Sequence, residues 1–362
     1  FTAILTDTSG NSTTGTASGT TITFDQTSPT AAITYSYAGP YRNGGTDVTI
    51  TATFNEPMAD ATPTKIGITG ATTLAATNMT KSSTTAYTYS YTVPAGDGTQ
   101  TIALTVGTDV AGNVITSAPT SGSTFVLDNT APTISTSSIA SDNSTTTLAT
   151  TGDVVTLTIA TNENVTTPTV AFTSGGANIT NSVSVSGSSP GTSFTATYTV
   201  HASDTAGSVA ISVSATDVAG NTTSGFTTIS SGSVTVDQSA PSAFTTGAVT
   251  SVGGTVVANY WNASNTSITV TVPIANDASL VGGTLQLRAN VASGGYENFG
   301  SAYTIQNDDL DGNYVFSNTA ATFEALSGNL AAGESVAFTA ILTDTSGNST
   351  TGTASGTTIT FD

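Results

Sequence analysis

GTQTIALTVGTDVAGN, Gly98–Asn113, sets Ile102, Leu104 and Val106 at every second position with Thr101, Ala103 and Thr105 between them, then ends in Asp-x-x-Gly-Asn. A period of two is the signature of a strand with one buried face, and Asp, Gly and Asn are turn formers, with Gly supplying positive φ. The turn recurs. TDTSGN stands at Asp7, TDVAGN at Asp109 and Asp217, and TDTSGN again at Asp344. A second string follows each copy: TFDQTSP at Asp25, VLDNTAP at Asp128, VTVDQSAP at Asp237 and TFD at Asp362. Successive turns lie 102, 108 and 127 residues apart, together 337, which is also the offset between two identical 25-residue stretches, Phe1–Asp25 and Phe338–Asp362. Such self-similarity marks an array of repeated units.

Between these landmarks the same succession of strands can be read. The first unit offers SPTAAITYSY, DVTITATFNEPM, PTKIGITG, AYTYSYTV, TQTIALTVGTD and STFVLD. The second offers APTISTSS, DVVTLTIATNENV, PTVAFTSG, FTATYTV, SVAISVSATD and GSVTVD. The third diverges, with NTSITVTVPIANDAS, GTLQLRANV, SAYTIQ, SVAFTAILTD and TTITFD around a longer middle. About seven short strands per unit, punctuated by Gly, Asn, Asp and Pro, predict an all-β chain of tandem immunoglobulin-like β-sandwich domains in an extended rod. The boundaries fall at 26–128, 129–237 and a longer 238–362. Residues 1–25 supply the last two strands, Phe1–Asp7 and Thr20–Asp25, of a preceding domain of the third type. An isolated hairpin is marginal in water, so this piece needs the rest of a sandwich. The expectation is a window from a longer array of 337-residue units, with strand exchange between subunits as an alternative.

Composition removes several function classes. The 362 residues carry 23 acidic against four basic side chains (Arg42, Lys65, Lys81, Arg288), a formal charge of −19, so nucleic acid and anionic membrane are poor partners. No apolar run reaches the roughly 20 residues that membrane insertion of a helix needs. There is no Cys, and a single His, His201, cannot serve repeated domains as a catalytic base. No enzymatic function is expected. Two Lys residues, both in the first domain, do not suit self-crosslinking through a Lys in every core.

VLDNTAPT, TDVAGN, TATFNEPM and YTVPAGDGTQTIALTVGTDVAGN resemble the Ig-like repeats of giant bacterial surface proteins, of the biofilm-associated and large repetitive adhesin type. ANYWNASNTSITVTVPIANDASLVGG resembles their more divergent repeats. The likeness covers nearly the whole chain. It implies secretion to the cell surface, a rod of tandem sandwiches and calcium at the joints between domains.

The carboxylates give a separate physical case for those joints. With strands alternating in direction, the turn after the second strand and the turn before the last both face the incoming linker. Joint one would gather Asp25, Glu56 from FNEP and Asp109. Joint two would gather Asp128, Glu163 from TNEN and Asp217. Joint three would gather Asp237 and Asp344, with Asp277 of IANDAS standing where the others have Glu. Crowded like charges repel, whereas Ca2+, wanting 6 to 8 oxygens, would use them together. Zinc, without Cys and His ligands, does not fit. The structural alternative is that each Asp merely forms a turn.

Other candidates fall to simpler readings. NDDLDGNY (Asn307–Tyr314) lacks the twelfth-position Glu of an EF-hand loop and reads as a surface loop. Asp97 and Asp204 occupy corresponding turns. Trp261 and Tyr260 are expected on a sandwich edge, where an exposed pair would suit a carbohydrate-binding module. Nine Asn-x-Ser/Thr sequons are about what a chain this rich in Ser and Thr holds by chance. The function expected is that of a structural segment of an extracellular fibre, adhesin stalk or biofilm matrix protein stiffened by calcium. The alternatives are a surface-layer or filament subunit and the carbohydrate-binding module. Expected partners are further copies of the repeat and neighbouring chains in a fibre.

Overall fold

In a computed structural model, residues 2–16, 22–292, 294–326 and 330–362 are described. The chain divides into two compact units, Phe1–Ala131 with Val218–Asn221, and Pro132–Asp217 with Thr222–Asp362.

The first unit begins with a short antiparallel pair, β1 (Ile4–Thr6) and β2 (Ser12–Thr14). This differs from the expected pairing of Phe1–Asp7 with Thr20–Asp25: Ile22–Asp25 is not a strand, and residues 1 and 17–21 lie outside the described residues. There follow β3 (Ala31–Tyr35), β4 (Val48–Phe54), β5 (Lys65–Gly70), β6 (Leu74–Asn78), β7 (Thr80–Lys81), β8 (Ala86–Tyr91), β9 (Gly98–Thr105) and β10 (Thr124–Leu127). They make two antiparallel four-stranded sheets, ordered β3-β4-β8-β7 and β10-β9-β5-β6. Because β4 pairs with β8 and β5 with β9, the chain crosses between sheets in the Greek-key manner of an immunoglobulin-like sandwich. The alternation read from sequence is the cause. Ile50, Ile66, Ile68, Ile102 and Leu104 point inward and are buried, while their neighbours Thr49, Thr51, Gly67, Thr101 and Ala103 are exposed or half-buried on the other faces.

The second unit holds two sandwiches. The first has β11 (Ile134–Ser141), β12 (Leu148–Ala149), β13 (Val154–Val165), β14 (Thr169–Ser174), β15 (Ala177–Asn178), β16 (Ser184–Ser186), β17 (Gly191–Thr199), β18 (Gly207–Thr216), β19 (Thr222–Phe226) and β20 (Thr235–Val236). Its sheets run β11-β13-β17-β16 and β12-β20-β18-β14-β15, with β19 also paired to β18. The last sandwich has β21 (Val249–Val252), β22 (Tyr260–Trp261), β23 (Ser267–Ile274), β24 (Thr284–Val291), β25 (Tyr296–Asn298), β26 (Tyr303–Thr304), β27 (Gly312–Thr319), a helical turn α1 (Ala320–Glu324), β28 (Ser335–Thr343), β29 (Ser349–Thr351) and β30 (Ile359–Phe361). Its sheets run β21-β23-β27 and β22-β30-β28-β24-β25. Each sandwich encloses its own buried apolar cluster.

Two expectations for the third domain are corrected. The strand that pairs with β23 is GNYVFSNT, β27, whereas SAYTIQ contributes only the two residues of β26. Phe316 of β27 is buried and Val315 exposed, so the strand does alternate, but the Asp-Gly-Asn at its start reads as a loop. Trp261 is 0% exposed, packed against Phe323 at 4.8 Å between ring centroids, with Nε1 donating to Glu324 Oε1 at 3.1 Å. Its ring cannot stack on a sugar, and Tyr260, at 47% exposed, is left without its expected companion.

Close approach of strand ends requires glycine at Gly122. Its φ is +68, and a Cβ there would lie 2.1 Å from the Ile33 carbonyl oxygen. Gly44 also has positive φ, +72, but open space around it. Gly122→Ala should therefore destabilise the first sandwich well beyond the roughly 1 kcal/mol that positive φ alone costs. Gly44→Ala should cost about that 1 kcal/mol, and chemical denaturation of the two variants compares them directly.

Candidate joint sites

The Asp-x-x-Gly-Asn turn closes on itself. Asp109 Oδ1 accepts from Asn113 N at 2.8 Å, Asp109 Oδ2 accepts from Asn113 Nδ2 at 2.8 Å, and Gly112 N donates to the Asp109 carbonyl at 3.2 Å. Asp344 repeats this with Asn348 at 2.9 and 3.2 Å, and Asp7 with Asn11 at 2.9 and 3.0 Å. Such side-chain to backbone bonds are what Asp and Asn offer a turn, so the structural reading of these residues is correct as far as it goes.

The Asn has a second task that sequence reading missed. Asn113 Nδ2 also donates to the carbonyl of Asp25, at 3.2 Å. Asn221 Nδ2 donates to the carbonyl of Asp128 at 2.9 Å, and Asn348 Nδ2 to that of Asp237 at 3.1 Å. Each turn thus grips the Asp that closes the preceding strand string. The signal was present as the fixed co-occurrence of the two strings. Those Asp residues are held in turn by their own Oδ1, which accepts from Thr27 N at 3.0 Å, Thr130 N at 3.2 Å and Ser239 N at 3.0 Å respectively.

Around the first latch three acids converge. Carboxylate oxygens of Asp25, Glu56 and Asp109 all lie within 4.8 Å of one another, at an open pocket that Thr23, Pro57 and Val110 help to line. Asp109 is buried; Asp25 and Glu56 are half-buried. The carboxyls of Glu56 and Asp109 are driven apart. Desolvation, with Asp25 and Asp109 as neighbouring charges, pushes Glu56 up. Burial also pushes Asp109 up, but the bonds from Asn113, Gly112 and Ala111 together outweigh it and leave Asp109 below the usual carboxylate range. One set of hard oxygen donors therefore combines an Asp held below the usual carboxylate range with a Glu pushed above it, an arrangement that could hold a cation.

In the second sandwich Glu163 and Asp217 likewise bring carboxylate oxygens within 4.8 Å, with Asp217 buried at its bridge to Val165. Asp128 lies at the end of the first unit, on the Asn221 latch. The third set differs. Among the described residues Asp237, Asp277 and Asp344 form no three-acid cluster of this kind. Asp277 caps a single helical turn, accepting from Ser279 N at 3.0 Å and Ser279 Oγ at 2.7 Å. Where the VAGN turns have Ala111 and Ala219, this turn has Ser346, whose Oγ donates to Asp237 Oδ2 at 3.0 Å. The same loop receives a bond from Asn143, whose Nδ2 reaches the Ser346 carbonyl at 2.8 Å, and one from Thr150 Oγ1 to Asn348 Oδ1, a pair at 2.5 Å. Burial, the first cause, and the charge of Asp237 push Asp344 up, against the bonds from Asn348 and Ser346.

The remaining candidates are structural. Asp309 accepts from Tyr303 OH at 2.8 Å and Gln306 N at 2.7 Å, which fixes NDDLDGNY as a capped turn. Asp204 is buried and accepts from Thr180 N at 2.7 Å and His201 N at 2.9 Å; Asp97 accepts from Thr130 Oγ1 at 3.0 Å.

No protein-family model matches the chain, and no curated protein matches its sequence. Solved structures do. Domains of titin align over 92% of this chain and 99% of that one at 15% identity, TM-score 0.35. The FN1–FN3 domains of chicken CNTN1 align over 92% and 97% at 11%, TM-score 0.31. A tetra-tandem repeat from the extending region of a large adhesion protein aligns over 100% and 80% at 17%, TM-score 0.28. The likeness is one of tandem sandwich domains. No helix among the described residues is long and apolar enough to cross a membrane.

The raised Glu56 carboxyl has a pH consequence with a definite sign. From the ordinary Glu value up to its raised folded value, the folded state holds more protons than the unfolded one. Stability therefore falls as pH rises through that window and does not recover above it. With chelator present, Glu56→Gln should remove this part of the slope and leave the variant at least as stable as the parent at neutral pH. Thermal melts from about pH 4 to about pH 7 read the difference.

Proposed function

We propose that the chain is a structural segment of an extracellular repetitive fibre, an adhesin stalk or biofilm matrix protein, whose joints are stiffened by Ca2+. The observation that carries the reading is the Asp25, Glu56 and Asp109 cluster at the entry to a repeated sandwich. Calcium binds oxygens at 2.3–2.6 Å, so two ligands on opposite sides of one ion stand about 4.8 Å apart, and three oxygens inside that limit can share it. The ion would complete its 6 to 8 ligands with carbonyls and water. It offsets the mutual repulsion of the acids and ties the linker to the turns of the next sandwich. Glu163 and Asp217 are the corresponding ligands one repeat later. At the third set the reading assigns the ion no role, because Ser346 takes the place of the bridge.

The reading is mechanical and non-catalytic. The repeat period, the strand strings shared between units and a surface of Thr, Ser and acids suit a chain that keeps its reach through many copies of one module. Partners are then further copies of the repeat in a longer chain and neighbouring chains in a fibre, at the cell surface.

Extracellular calcium modules typically bind at 10⁻⁴ to 10⁻³ M. At about ten times the dissociation constant one ion adds about 1.4 kcal/mol to the folded state, roughly 4 °C or more in the melting of a domain this size. Calorimetry should show that rise with calcium and its loss with chelator, and Glu56→Gln should abolish the rise for the first sandwich. Equal melting under all conditions removes the ion. Immunogold labelling of thin sections of native cells tests the rest: label on filaments outside the cell is expected, and label confined to the cytoplasm overturns the stalk.

A further inference from the structure

The turn at Asp344 reaches in two directions. Its Asn348 grips the linker at Asp237, and the same turn also meets the second sandwich directly, without the linker between them. Asn143, Thr150 and Asp153, in the loops on either side of β12, make that contact, and Asp153 organises the other two. Its Oδ2 accepts from Asn143 Nδ2 at 2.7 Å and from Thr150 N at 2.7 Å. Asn143 has a second amide hydrogen, which goes to the Ser346 carbonyl at 2.8 Å, and the Thr150 hydroxyl goes to Asn348 Oδ1 at 2.5 Å. Asn348 carries the run onward, since its Nδ2 donates to the Asp237 carbonyl at 3.1 Å and to Asp344 Oδ2 at 3.2 Å. One unbroken series of hydrogen bonds thus leads from the second sandwich into the third and back to the linker.

The acids of this joint already have neutral donors. Asp237 Oδ1 accepts from Ser239 N at 3.0 Å and its Oδ2 from Ser346 Oγ at 3.0 Å. Asp344 Oδ1 accepts from Ser346 N and Asn348 N, each at 2.9 Å, and its Oδ2 takes the bond from Asn348 Nδ2. A cation would have to displace these bonds, which are stronger than ordinary ones because the acceptor is charged. The linker itself is tied at both ends. Gln238 Nε2 donates back to the His201 carbonyl of the second sandwich at 2.8 Å, while the Pro241 carbonyl accepts from Thr350 of the third at 2.5 Å.

We propose that this network locks the second and third sandwiches in one fixed orientation without a metal, with Asp153 as the residue that positions Asn143 and Thr150. Two direct bonds at separate points, the Ser346 carbonyl and the Asn348 side chain, resist twisting as well as bending, which a single contact would not. The linker ties then remove the remaining slack. The lock goes beyond the calcium reading of the Asp25, Glu56 and Asp109 cluster and stands whether or not an ion binds there.

The test uses the full chain, which has no Cys, so spin labels can be placed singly. Nitroxides on Thr158→Cys and Ser317→Cys, both exposed on strands of the second and third sandwiches, report the distance between the two domains by double electron–electron resonance. A second pair, Thr158→Cys with the exposed Ser212→Cys, lies within the second sandwich and reports its fold. The parent should give one narrow distribution between the sandwiches, the same in chelator and in millimolar calcium. Thr150→Val keeps the side-chain shape and removes the hydroxyl; combined with Asn143→Ala it should lose the narrow distribution while the pair inside the second sandwich stays narrow. Thr150→Ser, which restores the hydroxyl, should keep it. A parent that is broad in chelator and narrows with calcium overturns the proposal, and so does a double variant as narrow as the parent. Should the pair inside the second sandwich broaden in the double variant, Thr150→Val alone decides: broadening between the sandwiches with that pair narrow supports the lock, and an unchanged distribution overturns it.

Discussion

A single side-chain amide, repeated three times, anchors the start of each linker. Asn113, Asn221 and Asn348 each donate to the carbonyl of the Asp that ends the preceding strand string. A second bond accompanies each. Thr116, Thr223 and Thr350 hydroxyls donate to the carbonyls of Pro29, Pro132 and Pro241, a few residues further along the same linkers. Two carbonyls of a short linker are thus pinned to the turn and strand that begin the last part of the sandwich. Proline suits the second point because its backbone offers a carbonyl and has no N–H to satisfy. A linker pinned at two points has little freedom left, and acids near it are held close to one another whether or not their charges favour it.

That constraint has two chemical outcomes. Beside the VAGN turn at Asp109 the neighbour is Glu56, and with Asp25 the three carboxylates meet at one pocket, Glu56 pushed up and Asp109 held down. Beside the TSGN turn at Asp344 the neighbour is Asp277, occupied in capping its own turn, and a serine hydroxyl meets Asp237 instead. The change from Ala to Ser replaces an electrostatic problem with a neutral donor. A donor to a carboxylate contributes more than an ordinary hydrogen bond.

The sequence made much of this legible, for physical reasons. Period-two alternation locates the strands that bury one face, and the recurrent Asp-x-x-Gly-Asn locates the turns, because both depend on neighbours close in sequence. Asp25, Glu56 and Asp109 come together as expected, since strand direction alone sends their turns to one end. Asp277 could not be placed that way. Its carboxylate is claimed by Ser279 two residues on, a local competition that topology does not reveal. β27 was obscured by the turn residues at its start, and Trp261 was read as an edge residue because the short helix that covers it, with Phe323 and Glu324, carries no strand or turn signature. The role of the Asn residues escaped because it joins partners 88 to 111 positions apart.

Trp261 is the one tryptophan of the chain, and it lies wholly inside the third sandwich against Phe323. Indole fluorescence depends on the polarity around the ring, so the emission of this protein is a private signal from a single domain. Blue-shifted light means the third core is closed, and a red shift means that core has opened, whatever the other two sandwiches are doing. A chain of repeated modules, whose melting curves would otherwise overlap, thus carries an optical label on the one module that differs most from the rest.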